Sequence, residues 1–412
     1  MTAEIISIGD ELLIGQIVNT NAAWMSRQLN SANIRVRQVS VVGDEGDEIR
    51  RSLELALSRA DVVLLTGGLG PTHDDITKKV VAEYFDSAEM VTDEKVLAHV
   101  KGIFQRRNLR MAPVNEGQAL VPKKATVLWN DYGTAPGLLF EREGRYCAIM
   151  PGVPAEMQHL MNERVLPFLK SKNKNVTIRH RTVRTVGIGE SALFEKLAPI
   201  EELEKFGKIA FLPHFSVVDV RISVYENDAT VAAQRIHAAE EYILSRVGPN
   251  VYGFDEETLE SVIGRVLTEK KATLAVAESC TGGFVAHRLT NVSGSSQYFD
   301  RAIVTYSNAA KMQMLGVPEE VLQQHGAVSE ECAKAMAEGV RRVSNVTYGV
   351  ATTGIAGPTG GTEEKPVGLV WVGVASPERV FAQKFLFTKD RLINKERFSQ
   401  MALNLLFREL KA

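Results

Sequence analysis

Short apolar runs alternate with amphipathic segments over residues 1–168. The runs are rich in β-branched residues, as strands are, whereas the segments between them repeat apolar positions with helical spacing. This alternation predicts an α/β fold with a mostly parallel sheet covered by helices. The predicted strands are Ile5–Ile8, Val36–Val42, Asp61–Thr66 and Tyr146–Met150, and the predicted helices are Asn21–Asn30, Glu48–Arg59 and Ile76–Phe85.

Two further modules follow a lysine-rich polar segment at 170–175. The first mixes strands and helices in an α+β pattern and ends at Gly248–Asn250, and from Thr258 a second α/β pattern begins. We therefore predict domains at 1–170, 176–248 and 256–412. In the last domain we predict strands Thr273–Ala277, Ala302–Tyr306, Tyr348–Thr353, Leu369–Ala375 and Phe381–Phe387, and helices Leu259–Glu269, Gly283–Leu289, Asn308–Leu315, Glu330–Arg342 and Leu392–Leu410.

The composition, with 45% hydrophobic and 24% charged residues, is that of a soluble globular protein. A net charge of −2 supplies no basic field for nucleic acid or for an anionic membrane. No apolar run approaches the ~20 residues of a membrane span, and Met1–Gly9 carries an acid where a secretion signal requires Lys or Arg. Cys147, Cys280 and Cys332 are widely separated, which favours a reducing compartment, so we expect a cytoplasmic protein.

A glycine turn follows the third predicted strand. Gly67, Gly68 and Gly70 let the backbone approach an anion closely, and Asp74 and Asp75 come next. Either carboxylate alone is suited to cap the following helix. Acting together near a diphosphate, the two would require a divalent cation. Three more tight loops, at 9–21, 133–137 and 151–156, end on the same side of the predicted sheet. Ligands of such sheets bind on that side. Taken singly, however, each loop is explained by turn-forming residues.

The segments Ile8–Asn21 and Thr66–Asp75 resemble the molybdopterin-binding-type domain of CinA-like proteins, the competence/damage-inducible family. The resemblance implies a three-layer fold and a metal-dependent ADP-ribose pyrophosphatase activity, which yields AMP and ribose 5-phosphate with Mg²⁺, Mn²⁺ or Co²⁺ at Asp74 and Asp75. The same loops would also suit a bound pterin phosphate. The nucleotide contacts expected at this site are Gly9, Asp10, Glu11, Asn19, Thr20, Asn21, Gly67, Gly68, Gly70, Thr72, Thr134, Gly137, Gly152 and Glu156.

A second glycine turn, Ala277–Gly283, contains the candidate nucleophiles Ser279, Cys280 and Thr281. His287 and His325 lie away from the glycine turns, so a Ser-His-Asp arrangement has little support. Lysine is the alternative base, but it must be neutral, and its free pKa of about 10.4 must be lowered by desolvation or a nearby cation.

Lys311 is that lysine, four residues after Ser307. Spacing alone favours a plainer role for each candidate: a surface cation for Lys311, a helix cap for Ser279, a core residue for Cys280 and a packed aromatic for Tyr306.

Ala277–Gly283, Val304–Asn308, His325–Ser329 and Gly354–Gly361 resemble the CinA C-terminal domain. The resemblance implies an α/β/α fold and a deamidase, needing no cofactor, that converts nicotinamide mononucleotide (NMN) and water to nicotinic acid mononucleotide and ammonia. The matching residues give the catalytic roles: Ser279 as nucleophile, Lys311 as base and Tyr306 as proton relay or as support for Lys311. The substrate contacts expected are Thr281, Gly282, Gly283, Ser296, Ser307, Asn308, Thr353, Gly354, Gly357 and Arg391, with Arg397 as the alternative phosphate ligand.

The middle domain resembles the KH-like linker domain of the same family. Its basic strand residues are Arg179, His180, Arg181 and Arg184. Gly187–Glu190 lacks the Gly-x-x-Gly spacing of an RNA-clamping loop, so we expect no nucleic-acid partner, and we expect Glu190 to reach the metal of the first site. Besides a bifunctional hydrolase acting on NMN and ADP-ribose, two functions stay open: a molybdopterin-binding protein of cofactor assembly, and a non-catalytic partner in DNA uptake or damage response. The family also implies a homodimer, and from the charge and the lack of a membrane span we expect no membrane partner.

Overall fold

The chain is described by a computed structural model that covers residues 1–72, 75–173, 177–214, 217–387 and 390–412. Their packing gives two compact units, Met1–Arg179 with Val224–Ala233, and His180–Ser223 with Gln234–Ala412. The three-domain division at 170–176 and 248–256 stays a prediction. No helix of the described residues has the length and apolar character of a membrane span.

A mixed sheet with helices on both faces forms the first unit. The strands of this unit are β1 (Thr2–Ile8), β2 (Arg35–Val42), β3 (Val62–Thr66), β4 (Met90–Thr92), β5 (Leu120–Pro122), β6 (Thr126–Leu128), β7 (Gly137–Arg142) and β8 (Arg145–Met150). Of these, β4 and β5 pair in a separate two-stranded sheet. Its helices are α1 (Asp10–Leu13), α2 (Thr20–Ser31), α3 (Gly46–Arg59), α4 (Thr77–Tyr84), α5 (Glu94–Arg106), α6 (Pro154–Leu160) and α7 (Leu166–Lys172).

The strand order of this sheet is β2–β1–β3–β8–β7–β6. The four strands expected from the sequence are parallel neighbours; β7 is antiparallel to β8, and β6 is antiparallel to β7. Successive side chains of β1 enter opposite cores: Ile5 packs with Met25 of α2, whereas Ile6 packs with Leu53 of α3. The three-layer prediction is confirmed.

The second unit carries most of the middle module and all of the last one. The middle module contains β9 (Thr177–Thr185), α8 (Glu190–Leu197), α9 (Ile200–Glu204), β10 (Lys208–His214), β11 (Val217–Glu226), α10 (Ala229–Val247) and β12 (Val251–Phe254). The last module contains α11 (Leu259–Glu269), β13 (Leu274–Glu278), α12 (Phe284–Thr290), β14 (Phe299–Val304), α13 (Asn308–Leu315), α14 (Glu319–Gln324), α15 (Glu330–Ser344), β15 (Tyr348–Gly354), β16 (Leu369–Ala375), β17 (Val380–Leu386) and α16 (Arg391–Lys411).

Two sheets organise these elements, with strand orders β10–β11–β9–β12 and β14–β13–β15–β16–β17. In the second sheet β13 is parallel to β14 and β15, β16 is antiparallel to β15, and β17 is antiparallel to β16. One face packs on α11 and α16, and the other on α15, so the α/β/α prediction is confirmed. Because β13 and β14 are adjacent and parallel, the turns that follow them lie at the same edge of the sheet.

Candidate active sites

A buried carboxylate fixes the turn after β13. Glu278 is completely buried and accepts hydrogen bonds from the backbone N–H groups of Gly283 at 2.9 Å, Val285 at 3.2 Å and Ala286 at 2.8 Å. These donors open α12, whose own N-cap residue supplies no side-chain bond. Glu278 therefore caps the helix across the turn, and the helix-cap interpretation of Ser279 is wrong.

Lys311 contacts Ser279. Its Nζ donates to Ser279 Oγ at 3.2 Å and to the carbonyl oxygen of Thr305 at 2.8 Å, although the pair is 32 residues apart in sequence. Ser279 follows β13, and Lys311 lies in the first turns of α13, which follows β14. Neighbouring parallel strands thus bring the two side chains together at their carboxyl ends.

The Lys311 side chain is buried, with the residue only 1% exposed, so the surface-cation interpretation is wrong. Burial is the main cause that lowers the pKa of Lys311 from its ordinary value. Burial in turn raises the pKa of Cys280 to about 12, so that thiol stays protonated near neutral pH and fits the core-residue interpretation. The environment favours a neutral lysine beside a serine hydroxyl.

A cavity of about 210 Å³ surrounds this pair. Arg391 donates to the Tyr306 hydroxyl at 3.1 Å and to the Gly357 carbonyl oxygen at 2.9 Å. Tyr306 is 61% exposed, so the packed-aromatic interpretation is wrong; it lies beyond the end of β14 instead of ending a strand. The residues lining the cavity are Ser279, Cys280, Tyr306, Lys311, Ala327, Val328, Thr353, Gly354, Ala356 and Arg391.

The other predicted substrate contacts are not among those lining residues, within the part of the chain that the structure describes. They are Thr281, Gly282, Gly283, Ser296, Ser307, Asn308 and Gly357. Gly282 and Gly283 have φ values of 59° and 93°, which the turn requires, and the buried Thr281 hydroxyl is 2.7 Å from that of Thr352. Ser307 caps α13. Arg397 lies with its guanidinium 5.6 Å from the ring centroid of Phe387, outside the cavity lining.

The loops of the first unit enclose a smaller cavity of about 110 Å³. Asn21 Nδ2 donates to the Gly152 carbonyl oxygen at 2.7 Å, while Asn21 Oδ1 is buried without a partner among the described residues. Asn19 caps α2 and bonds Ser7. The lining residues are Ser7, Ile8, Glu11, Leu12, Ile17, Val18, Asn19, Thr20, Asn21, Thr66, Gly152 and Pro154.

Close packing against other parts of the chain explains why glycines occupy the turn after β3. A Cβ on Gly67 would lie 2.2 Å from the Ile8 carbonyl oxygen, and one on Gly68 would lie 2.1 Å from Thr77 Oγ1. These glycines are therefore required with or without a ligand. A Cβ on Gly70 would lie 2.3 Å from the Asp75 carboxylate.

Asp75 binds Thr72, whereas Asp74 lies outside the described residues. Asp75 Oδ2 accepts from the Thr72 backbone N–H at 2.9 Å and, over a short contact, from the Thr72 hydroxyl. Since α4 begins at Thr77 with no side-chain cap, the capping interpretation is wrong for Asp75. Across the described ranges, no three His, Cys, Asp or Glu residues are grouped to hold a metal ion.

The remaining predicted contacts of this site lie outside the cavity lining of the described residues. Gly9 precedes α1, and Asp10 opens it and accepts from the Asp44 backbone N–H at 3.4 Å. Glu156 accepts from Asn130 at 2.8 Å. Thr134 is half-buried before β7, Gly137 is the first residue of β7, and Glu190 is the exposed first residue of α8 in the second unit.

The basic strand of the middle module is largely neutralised. Arg181 lies 2.5 Å from Asp255, and Arg184 lies 2.6 Å from Asp219. His180 is next to Arg181 on β9, and Arg179 is exposed.

Comparison with known proteins accounts for nearly the whole chain. Residues 4–171 match the probable molybdopterin binding domain, 180–253 the damage-inducible protein CinA KH domain, and 256–410 the CinA C-terminal domain. A CinA-like protein of Chloroherpeton thalassium is 47% identical over 420 residues, covering 100% of this chain and 99% of that relative. This chain belongs to the CinA family.

Other members of the CinA family are similarly close. A putative competence-damage inducible protein of Caldicellulosiruptor bescii is 43% identical over 410 residues, which cover 100% of this chain and 99% of the relative. Among solved structures, the competence/damage inducible protein CihA of Agrobacterium tumefaciens is 40% identical, with 37% of this chain and 94% of that chain covered and a TM-score of 0.37.

Proposed function

We propose that this CinA-family protein hydrolyses the carboxamide of NMN to nicotinic acid mononucleotide and ammonia. The observation that carries the proposal is the 3.2 Å contact between Lys311 Nζ and Ser279 Oγ, made by a buried lysine on the wall of a cavity. A buried lysine with a lowered pKa is the form of base that can activate a serine hydroxyl.

The chemistry follows from the groups that surround Ser279. Neutral Lys311 accepts the hydroxyl proton as Ser279 Oγ attacks the carboxamide carbon, and then returns a proton to the departing ammonia. Water hydrolyses the resulting acyl-serine. The backbone N–H of Cys280 follows the nucleophile and has no acceptor oxygen among the described residues, so it is our candidate donor to the oxyanion. Arg391, supported by Tyr306, is our candidate for binding the substrate phosphate.

Ammonia release from NMN tests this mechanism. Ser279→Ala and Lys311→Met should each lower kcat by about 10²–10⁴-fold, because Ser279→Ala removes the nucleophile and Lys311→Met removes its base. Lys334→Met is the matched control, since Lys334 is a half-exposed lysine of the same module, 2.5 Å from Glu330. Either active-site variant with a rate near wild type, in a folded protein, would refute the Ser–Lys pair.

A second activity, metal-dependent hydrolysis of ADP-ribose to AMP and ribose 5-phosphate, is our proposal for the first unit. Its support is the unpartnered Asn21 Oδ1 in the cavity and the Asp75 carboxylate beside the glycine turn. A carboxylate oxygen suits Mg²⁺ or Mn²⁺, so Asp75 fits as one ligand; when bound, the ion would neutralise diphosphate charge. Asn21 would orient the nucleotide through its amide. Metal-dependent AMP formation from ADP-ribose, measured in Asp75→Asn, tests this assignment, and a rate near wild type in a folded variant would refute it.

A further inference from the structure

The second unit contains another cavity, of about 470 Å³, that shares no lining residue with the Ser279–Lys311 cavity. Its volume is in the range of small-molecule binding sites, which are mostly apolar with a few polar groups. The lining residues are Gly187, Ile188, Gly189, Glu190, Pro213, His214, Val217, Val218, Gln383, Phe385, Phe387, Met401, Asn404, Leu405 and Arg408.

Two regular walls give this cavity its shape. Gln383 and Phe385 alternate on β17 and therefore share one face, and Phe387, directly after the end of the strand, also lines the cavity. The rings of Phe385 and Phe387 are nearly parallel, with an interplanar angle of 15° and centroids 6.3 Å apart, so they present flat aromatic surface. The opposing residues Met401 and Leu405 are one turn apart on α16.

Arg408, one turn beyond Leu405, supplies positive charge. It forms no ion pair within the described ranges, and its Nη2 makes a 3.3 Å hydrogen bond to the Gly187 carbonyl oxygen. The other ionisable lining groups are His214, which is 2.8 Å from Asp219, and Glu190, which is exposed. The cavity therefore combines an apolar, partly aromatic interior with a guanidinium that forms no ion pair among the described residues.

We propose that this cavity binds a small aromatic molecule that carries an anionic group. The ring packs against Phe385 and Phe387, where parallel aromatic surface favours a planar partner. The anionic group pairs with Arg408, because a guanidinium forms strong, directed hydrogen bonds to carboxylate, sulfonate or phosphate oxygens. Glu190 repels the anion and so limits the affinity.

Two fluorescent probes of nearly the same shape test this proposal on the full chain. 8-Anilinonaphthalene-1-sulfonate carries an aromatic body and an anion, and N-phenyl-1-naphthylamine has the same body without charge. The wild-type protein should bind both with saturable fluorescence. Absence of saturable binding of the anionic probe would overturn the proposal.

Variants locate the bound probe. Phe385→Ala should weaken both probes, while Arg408→Leu should weaken the anionic probe by about tenfold or more and leave the neutral one within about twofold. Glu190→Gln should tighten the anionic probe alone. Lys384→Ala is the control, since Lys384 is exposed, is not a lining residue and alternates away from Phe385 on β17.

The outcomes separate a built site from adventitious probe binding. Unchanged affinity in Phe385→Ala, or equal weakening of both probes in Arg408→Leu, would refute the site. Melting temperatures near wild type for Arg408→Leu and Glu190→Gln keep the comparison valid if Phe385→Ala unfolds. Because binding is the readout, the result does not depend on whether NMN is deamidated.

Discussion

The side chain on which the proposed chemistry depends is Lys311. Its amine is held by the Ser279 hydroxyl and the Thr305 carbonyl oxygen, and burial is the main cause of its lowered pKa. Desolvation therefore provides what the catalytic histidine provides in Ser-His-Asp enzymes, a base that is neutral at lower pH.

The pH dependence of catalysis should report this lysine. Only the neutral amine accepts the Ser279 proton, so kcat/KM for NMN should rise with pH through the pKa of Lys311. Because that pKa is lowered, the plateau should be reached below 10.5, the ordinary lysine value. Ammonia release measured across pH 6–10.5 checks this, and a rate that falls over the whole alkaline limb would contradict the role of Lys311 as base.

Stability should respond to the same burial. Below its pKa in the folded protein, Lys311 is charged in both the folded and the unfolded chain. Because burial disfavours this charge in the folded protein, it lowers the free energy of unfolding. This destabilisation fades as the pH rises from the folded-state pKa to 10.5, the ordinary lysine value. Lys311→Met should therefore raise the free energy of unfolding at pH 7 by roughly 0.5–2 kcal/mol, as is common when an active-site group is replaced. The gain should shrink towards pH 10.5 in denaturant titrations. A variant less stable than wild type at pH 7 would contradict this expectation.

At the scale of secondary-structure elements, the N-terminal cap of α12 depends on Glu278 alone among the described residues. Glu278→Gln keeps one acceptor but turns amide hydrogens towards the N–H groups of Gly283, Val285 and Ala286. We expect a loss of about 1–2 kcal/mol in the free energy of unfolding, with lower ammonia release because the Ser279 turn loses its support. Glu330→Gln, which replaces a half-exposed residue in the first turn of α15, is the control. A fully active, fully stable Glu278→Gln would exclude this role.

The sequence was informative where a motif has a simple local cause. A strand followed by a glycine turn predicted the positions of Ser279 and of Gly67, and helical periodicity predicted α16. The role of Glu278 was missed, although an acid ending the apolar run 273–277 was a signal, because a buried carboxylate needs partners.

Other features depend on tertiary packing. The antiparallel directions of β16 and β17 could not be predicted, because the direction of a strand does not change its periodicity. The strands β5, β6 and β7 have no distinct periodicity in the sequence. Whether Arg391 or Arg397 lines the Ser279–Lys311 cavity likewise depends on which face α16 buries. In the structure, Arg391 is the lining residue.

At the scale of the whole molecule, the two proposed activities should separate. Asp75→Asn should abolish metal-dependent AMP formation from ADP-ribose and leave ammonia release from NMN intact, whereas Ser279→Ala should do the reverse. Removing divalent ions with a chelator should likewise stop only AMP formation, since none of the groups we assign to deamidation is a metal ligand. Paired assays on one preparation check this, and joint loss of both activities in either folded variant would contradict two independent sites.

The long helix α16 has a consequence for regulation. Its 21 residues span about 30 Å, with Arg391 at its start on the Ser279–Lys311 cavity and Arg408 near its end on the larger one. The two cavities are therefore joined by one continuous element of secondary structure. If a ligand bound in one cavity shifts α16, it changes the affinity of the other cavity for its own ligand. By thermodynamic reciprocity, the second ligand must then change the affinity of the first by the same factor.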